Sequence, residues 1–301
     1  MGVRHLAGAG MARHDRGNRE DDMRLVSFTK GGQAGWGALA GDGIISLGAR
    51  TGFADLRAAL PHLDKVKAAA QGQAADAKLA DVTLLPPIPN PDKIICVGLN
   101  YASHVAETKR EKPVYPMLFT RYPQTFVGQG APLVRPKVSE KFDFEGEFAF
   151  VMGKKARHVP KEKAFEYVAG YAPLNDGSIR DWQRHTIQFT PGKNFEASGS
   201  WGPALVTADE IADVGKLVLE TRLNGQVMQH ATLDDLIFGV PELVAYITTM
   251  LELYPGDVIA TGTTGGVGAF REPPVWMKAG DKVEVEISGL GTLSNGVVDE
   301  K

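Results

Sequence analysis

The chain has 301 residues, with 33 Lys and Arg against 36 Asp and Glu, and a formal charge of -3. Nucleic-acid binders draw most of their affinity from neutralising phosphates, so this near-neutral balance argues against a nucleic-acid partner. The single cysteine, Cys96, excludes an intramolecular disulfide and a thiolate metal site; within the apolar run 94–99 it reads as a small core residue of a buried strand.

Residues 1–22 mix Arg4, Arg13, Arg16 and Arg19 with Asp15, Glu20, Asp21 and Asp22 and carry no continuous apolar run, the opposite of a signal or transit peptide. The expectation is a disordered extension over 1–22, a second candidate start at Met23, and cytoplasmic residence. No stretch approaches the roughly 18 consecutive apolar residues of a membrane-spanning helix, so a soluble protein without a membrane partner is expected. From Met23 the pattern reads strand (24–28), strand (35–39), a Gly-Asp-Gly turn (41–43), strand (44–47) and helix (53–70), which gives a small N-terminal α/β domain over 23–88. It closes in Pro86, Pro87, Pro89 and Pro91, an extended linker because proline lacks the amide donor and disfavours helix before it. Residues 89–301 then read as strands at 93–98, 142–152, 217–223, 257–260 and 282–288. One helix is expected at 241–253, where Pro241 suits the first turn and Leu243, Val244, Ile247 and Leu251 share a face. Strands outnumber helices without βαβ alternation, so the fold class is α+β with a β-rich mixed second domain.

The run Phe142-Asp143-Phe144-Glu145-Gly146-Glu147-Phe148-Ala149-Phe150 alternates as a strand does, with the four Phe on one face and Asp143, Glu145 and Glu147 on the other. A half-exposed strand with an acidic outer face accounts for that pattern alone. The alternative is a hard-cation site, because gathered carboxylates need neutralising and oxygen donors favour Mg²⁺, Mn²⁺ or Ca²⁺ over zinc. Asp176, in Asn175-Asp176-Gly177 after the strand-like run 167–174, is a candidate further ligand, although by itself that tripeptide is a turn. His104 and Glu107 fall at i and i+3 if the segment after the 94–99 strand is helical; a carboxylate beside an imidazole fixes its tautomer and suits a general base, while an exposed helix pair is the plainer account. The segment 190–193 is not a P-loop, since Ile187 stands where its first glycine belongs, and 261–268 lacks the βαβ context of a dinucleotide fingerprint. Its glycines can still bring backbone N–H groups to an anion.

In their order along the chain, these segments resemble the fumarylacetoacetate hydrolase superfamily. The resemblance runs over about residues 90–299. It is carried by Asn100-Tyr101 with His104 and Glu107, by Asp143 to Glu147, by Gly170-Tyr171 to Asp176 with Arg180, Asp181 and Gln183, and by Pro191-Gly192-Lys193. It continues through Leu223-Asn224-Gly225, Pro255-Gly256-Asp257 into Thr261-Gly262-Thr263, and Gly280-Asp281 with Gly289-Leu290-Gly291. It implies a β-roll catalytic domain in a homodimer, with Mg²⁺ or Mn²⁺, and Ca²⁺ as a substitute, held by Glu145, Glu147 and Asp176. It further implies that His104 and Glu107 activate water, that Lys193 and Gln183 polarise substrate oxygens, that Arg180 helps close the site, and that Tyr101 and Thr263 bind substrate. The implied reaction is hydrolysis of a C–C bond in a 2-oxo acid substrate of the acylpyruvate or fumarylpyruvate type. Decarboxylation or isomerisation of related 2-oxo dioic acids in aromatic catabolism is the alternative, and a non-enzymatic cation-binding scaffold ranks last. Two departures bear on substrate choice: Thr264 stands where many relatives have proline, and Arg121, Tyr122 and Gln124 occupy positions expected to contact the substrate's side chain.

Overall fold

A computed structural model describes residues 23–108 and 111–301. The expected extension over 1–22 lies outside the described residues. Arg24–Lys30 and Gln33–Ala40 form a hairpin through Gly31 and Gly32, whose positive φ angles of 55° and 81° give the tight turn that matches strand twist. Period-two alternation divides the first strand between two cores. Leu25 joins Trp36, Leu56, Ala149 and Val151, whereas Val26 and Phe28 pack with Ile44 and Leu84. The helix expected over 53–70 is broken into Leu56–Ala59, a 3-10 turn Leu60–His62 and Leu63–Ala70. Pro61 is the physical reason, because it has no N–H to continue the ladder.

The N-terminal strands enter the same sheet as the strands that follow. Arg24–Lys30 pairs antiparallel with Leu205–Thr207, which pairs with Val168–Asn175, then Gly146–Met152, Val258–Thr263, Ile94–Gly98 and the edge strand Met117–Arg121, within a sheet of 13 strands. A five-stranded sheet built on Val218–Leu223, Lys282–Ile287 and Gly291–Asp299 packs over its centre. Phe148, Phe150 and Tyr171 of the large sheet meet Leu219 and Ile287 of the small one, and the helix Val240–Met250 adds Leu243, Val244 and Ile247 to the same cluster. The protein is thus α+β and β-rich, as expected, with two packed sheets.

The expected continuous strand 142–152 is divided. Phe142–Asp143 pairs with Ser178–Ile179, and only from Gly146 does the chain join the large sheet. Phe142 and Phe144 fill one core cluster with Leu223 and Met277, while Phe148 and Phe150 fill another, so the four Phe do not share one face. The small sheet comes so close at the break that a Cβ on Gly146 would stand 1.9 Å from Thr221 Oγ1. Glycine is required there by close approach.

Candidate metal and proton-transfer site

The break at Phe144–Glu145 brings the end of one strand against the end of its neighbour. The Asp176 amide donates to the Glu145 carbonyl (2.8 Å), and the Glu145 amide donates to Asn175 Oδ1 (3.0 Å). This locks Asp176 opposite Glu145, and Glu147 follows two residues along the same strand. The three carboxylates are buried, and ligand oxygens of Glu145, Glu147 and Asp176 all lie within 4.8 Å of one another. Asp143, expected on the same acidic face, is not in this group.

Buried carboxylates need opposite charge. Lys193 Nζ bridges Glu145 Oε2 and Asp176 Oδ2 at 2.6 Å each, Arg180 Nη1 reaches Glu145 Oε1 at 2.6 Å, and Arg121 Nη1 reaches Asp176 Oδ1 at 2.6 Å. Burial opposes ionisation of Glu145, but Arg180 and Lys193 outweigh it and hold its pKa at about 2. For Lys193 burial is likewise overcome, by Asp176 and Glu145, and its pKa is raised. Glu147 is different: it accepts only the Gly262 amide (2.9 Å) among the described contacts, and burial together with Asp176 and Glu145 pushes its pKa well above the carboxylate range. An all-oxygen donor set with one carboxylate left short of positive charge fits a hard divalent cation. Glu145, Glu147 and Asp176 are the residues that would hold it.

The segment after Ile94–Gly98 is held by Asn100, a wholly buried side chain that donates to the Phe238 and Thr261 carbonyls (3.0 and 2.8 Å) and accepts the Phe238 amide (2.8 Å). From this clamp the helix Ala102–Thr108 starts, and Ser103 Oγ donates to Asp235 Oδ2 (2.6 Å) near its N-terminus. Helical spacing then faces His104 Nδ1 to Glu107 Oε2 at 3.3 Å, and the Gly266 amide donates to Glu107 Oε1 at 3.1 Å. Gly266 has φ 99°, and a Cβ there would lie 2.2 Å from the Met228 carbonyl oxygen, so no other residue could present this amide. Burial disfavours the Glu107 charge, but His104 and the Gly266 amide outweigh it, and the pKa falls below its ordinary value. His104 is 7% exposed, and the Gly266 amide that holds Glu107 lies three residues after Thr263, the strand position that pairs with Glu147, so the dyad docks on the loop that leaves the carboxylate-bearing strands.

The other expected site residues are placed as follows. Gln183 Oε1 accepts from Arg180 Nη1 (3.0 Å). Thr263 Oγ1 donates to the Gly146 carbonyl (2.9 Å) and accepts from Gln229 Nε2 (2.7 Å), so its hydroxyl is engaged with the framework. Tyr101 is wholly buried in the inter-sheet cluster. Arg121, expected to face the substrate's side chain, instead has both η-nitrogens and Nε bonded inside the protein, to Asp176, Gly177, Thr125 and Ser198. Tyr122 and Gln124 are exposed. Sequence reasoning missed Gln229, whose amide ties the Gly146 amide to Thr263 and Thr264 across the two sheets. No local pattern marks it, because its partners lie 34 to 83 residues away.

The chain is 38% identical over 289 residues to the mitochondrial oxaloacetate tautomerase FAHD2A of Homo sapiens, covering 92% of each chain. It is 41% identical over 224 residues to the oxaloacetate tautomerase YisK of Bacillus subtilis, covering 73% of this chain and 74% of that one. The crystal structure of maleylpyruvate hydrolase from Sphingobium sp. SYK-6, in complex with manganese(II) and pyruvate, superposes with a TM-score of 0.78 at 28% identity, covering 93% and 100% of the two chains. The expectation of cytoplasmic residence is overturned by the human relative, which is mitochondrial although it matches nearly the whole of this chain. The expectation rested on the missing apolar run and the acidic residues of 1–22, and the lack of a recognisable targeting pattern does not fix a compartment. Residues 93–298 match the model of the fumarylacetoacetate (FAA) hydrolase C-terminal domain, and with the buried carboxylate cluster and the fold the conclusion is that the chain belongs to the fumarylacetoacetate hydrolase superfamily.

Proposed function

We propose that this enzyme interconverts the keto and enol forms of a short 2-oxo dicarboxylic acid, oxaloacetate being the first candidate, with Mg²⁺ or Mn²⁺ as cofactor. The observation that supports the reading is a His104–Glu107 dyad docked on the loop after Thr263, the strand partner of Glu147, together with the Glu145, Glu147 and Asp176 cluster, in a chain 38% identical over nearly its whole length to an oxaloacetate tautomerase. When bound, a divalent cation supplies Lewis-acid polarisation of the 2-oxo group. Glu107 orients the imidazole through Nδ1, which leaves Nε2 as the nitrogen that takes a proton from C3 of the keto form. The electrons of the broken C–H bond move to the 2-oxo oxygen, and return of one proton to that oxygen completes the enol. Lys193, an ammonium anchored by Glu145 and Asp176, would donate to that oxygen as negative charge develops on it. Arg180 holds Gln183 for a contact with the substrate carboxylate.

A second reading, hydrolysis of an acylpyruvate, uses the same dyad to activate water, and the structural likeness to maleylpyruvate hydrolase favours it. The two are separated by one assay panel with the metal-loaded enzyme: loss of enol absorbance from oxaloacetate against pyruvate release from acylpyruvates. Catalysed enol–keto conversion without pyruvate release supports tautomerisation; the reverse pattern supports the hydrolase.

A further inference from the structure

Asp143 belongs to neither the carboxylate cluster nor the dyad, yet its contacts lead toward both, through Arg180 to Glu145 and through the 268–269 amides to the loop that holds Glu107. It is wholly buried. Its Oδ2 accepts from Arg180 Nε (2.7 Å) and the Ala269 amide (3.0 Å) and lies in ion-pair contact with Arg180 Nη2 (2.7 Å), and its Oδ1 accepts from the Gly268 amide (2.8 Å) and its neighbour Phe144 (2.9 Å). On one side, the same guanidinium extends Nη1 to Glu145 Oε1 (2.6 Å) and Gln183 Oε1 (3.0 Å). On the other, Gly268 and Ala269 continue the loop whose Gly266 amide holds Glu107 (3.1 Å) and whose Phe270 ring stands edge-on to His104 at 6.0 Å. The fit is close: a Cβ on Gly268 would lie 2.6 Å from Asp143 Oδ1 and 2.0 Å from the Val275 carbonyl oxygen.

We infer that Asp143 is a positioning residue that ties the proton-transferring dyad to the metal-ligand cluster, through Arg180 on one side and the Gly266–Phe270 loop on the other. The inference builds on the proposed use of His104 as the base, since only then does the dyad's placement over the cluster matter to rate. A carboxylate suits the task because its two oxygens accept four N–H groups at once and its charge pairs with the guanidinium. A neutral amide of the same shape turns an N–H₂ group toward a donor and breaks one side of the link.

The test compares wild type, Asp143→Asn and Gly268→Ala, the last of which crowds the Val275 carbonyl and Asp143 Oδ1 and so disturbs the link from its loop side. Amide hydrogen exchange of the helix Ala102–Thr108, Mn²⁺ affinity by calorimetry, and kcat with KM for oxaloacetate are measured on each. The expected result for Asp143→Asn is faster exchange in the helix and a kcat lowered about 10²-fold, the scale of an ångström-sized misplacement. Gly268→Ala is expected to loosen the helix and lower kcat with Mn²⁺ affinity unchanged. A folded Asp143→Asn or Gly268→Ala protein with wild-type helix exchange would overturn the inference. If neither variant folds, the wild type decides: Mn²⁺ should slow exchange at Gly268, Ala269 and the helix together, and protection of the helix alone contradicts the link. Should oxaloacetate not be a substrate, the exchange and affinity measurements still test Asp143, so the two failures are distinguishable.

Discussion

Glu145 and Lys193 lie 2.6 Å apart and make different predictions. Glu145 is a ligand in this account, so Glu145→Gln should weaken Mn²⁺ binding by more than the 10–100-fold typical of groups outside the ligand set, as read by calorimetry. Lys193 only borders the ligands, and Lys193→Met should keep Mn²⁺ binding while lowering kcat about 10²–10³-fold, the cost of removing one donor to a developing oxyanion. Equal loss of metal affinity in both variants would place Lys193 among the groups that hold the cation. The carboxylates themselves were legible in the sequence, because alternation of Phe with acid over 142–150 isolates them. Asp143 was not separable from Glu145 and Glu147 on that pattern. The chain breaks between Asp143 and Gly146, where the small sheet leaves no room for a side chain on Gly146, and that contact depends on Thr221, 75 residues later. Arg121 was misassigned for a similar reason: its partners Asp176 and Ser198 are 55 and 77 residues distant, and only the fold shows that its charge is spent inside.

Among the described elements, the docking of the helix Ala102–Thr108 is expected to follow pH. Its hold on the Gly266 loop is the ionised Glu107, and this carboxyl has a folded pKa below its ordinary value of 4.5 because His104 and the Gly266 amide outweigh partial burial. A depressed acid contributes stability that is present above the ordinary value and lost as pH falls through the folded one. The expected outcome is that exchange protection of this helix declines below about pH 4.5, and that in Glu107→Gln this acid step disappears while a lower protection persists at neutral pH. Strand positions here read well from sequence because short alternating runs end at glycine or proline. The helix expected over 53–70 breaks at Pro61, which lacks the amide to continue the ladder within an otherwise apolar and charged run. The helix Val240–Met250 came within three residues of its expected end, with Pro241 in its first turn.

At the scale of the molecule, the N-terminal residues share a core with the strands that carry the site. Leu25, Trp36 and Leu56 pack with Ala149, Val151 and Leu205, and Arg24 reaches over to the Gly289 and Leu290 carbonyls. Leu25→Ala, a change at a wholly buried position, is therefore expected to destabilise by about 2–5 kcal/mol and to lower the unfolding temperature of the whole chain in one step. Two separate transitions, with the later one unmoved, would show instead that residues 23–88 fold as a unit of their own. Metal binding acts on the same balance: Mn²⁺ at about 100 times its Kd should add about 2.7 kcal/mol, and chelation should remove it.

The dyad and the carboxylate cluster are proposed to act together on a 2-oxo dicarboxylic acid. The most direct measurement is the rate at which enol oxaloacetate disappears, followed by its ultraviolet absorbance, for the Mn²⁺-loaded wild type and for His104→Ala with Mn²⁺ binding verified in both. The account predicts rapid conversion by the wild type and a loss of about 10²–10⁴-fold in the variant, the range that general acid–base catalysis supplies. Equal rates in two proteins that bind Mn²⁺ equally well would contradict it.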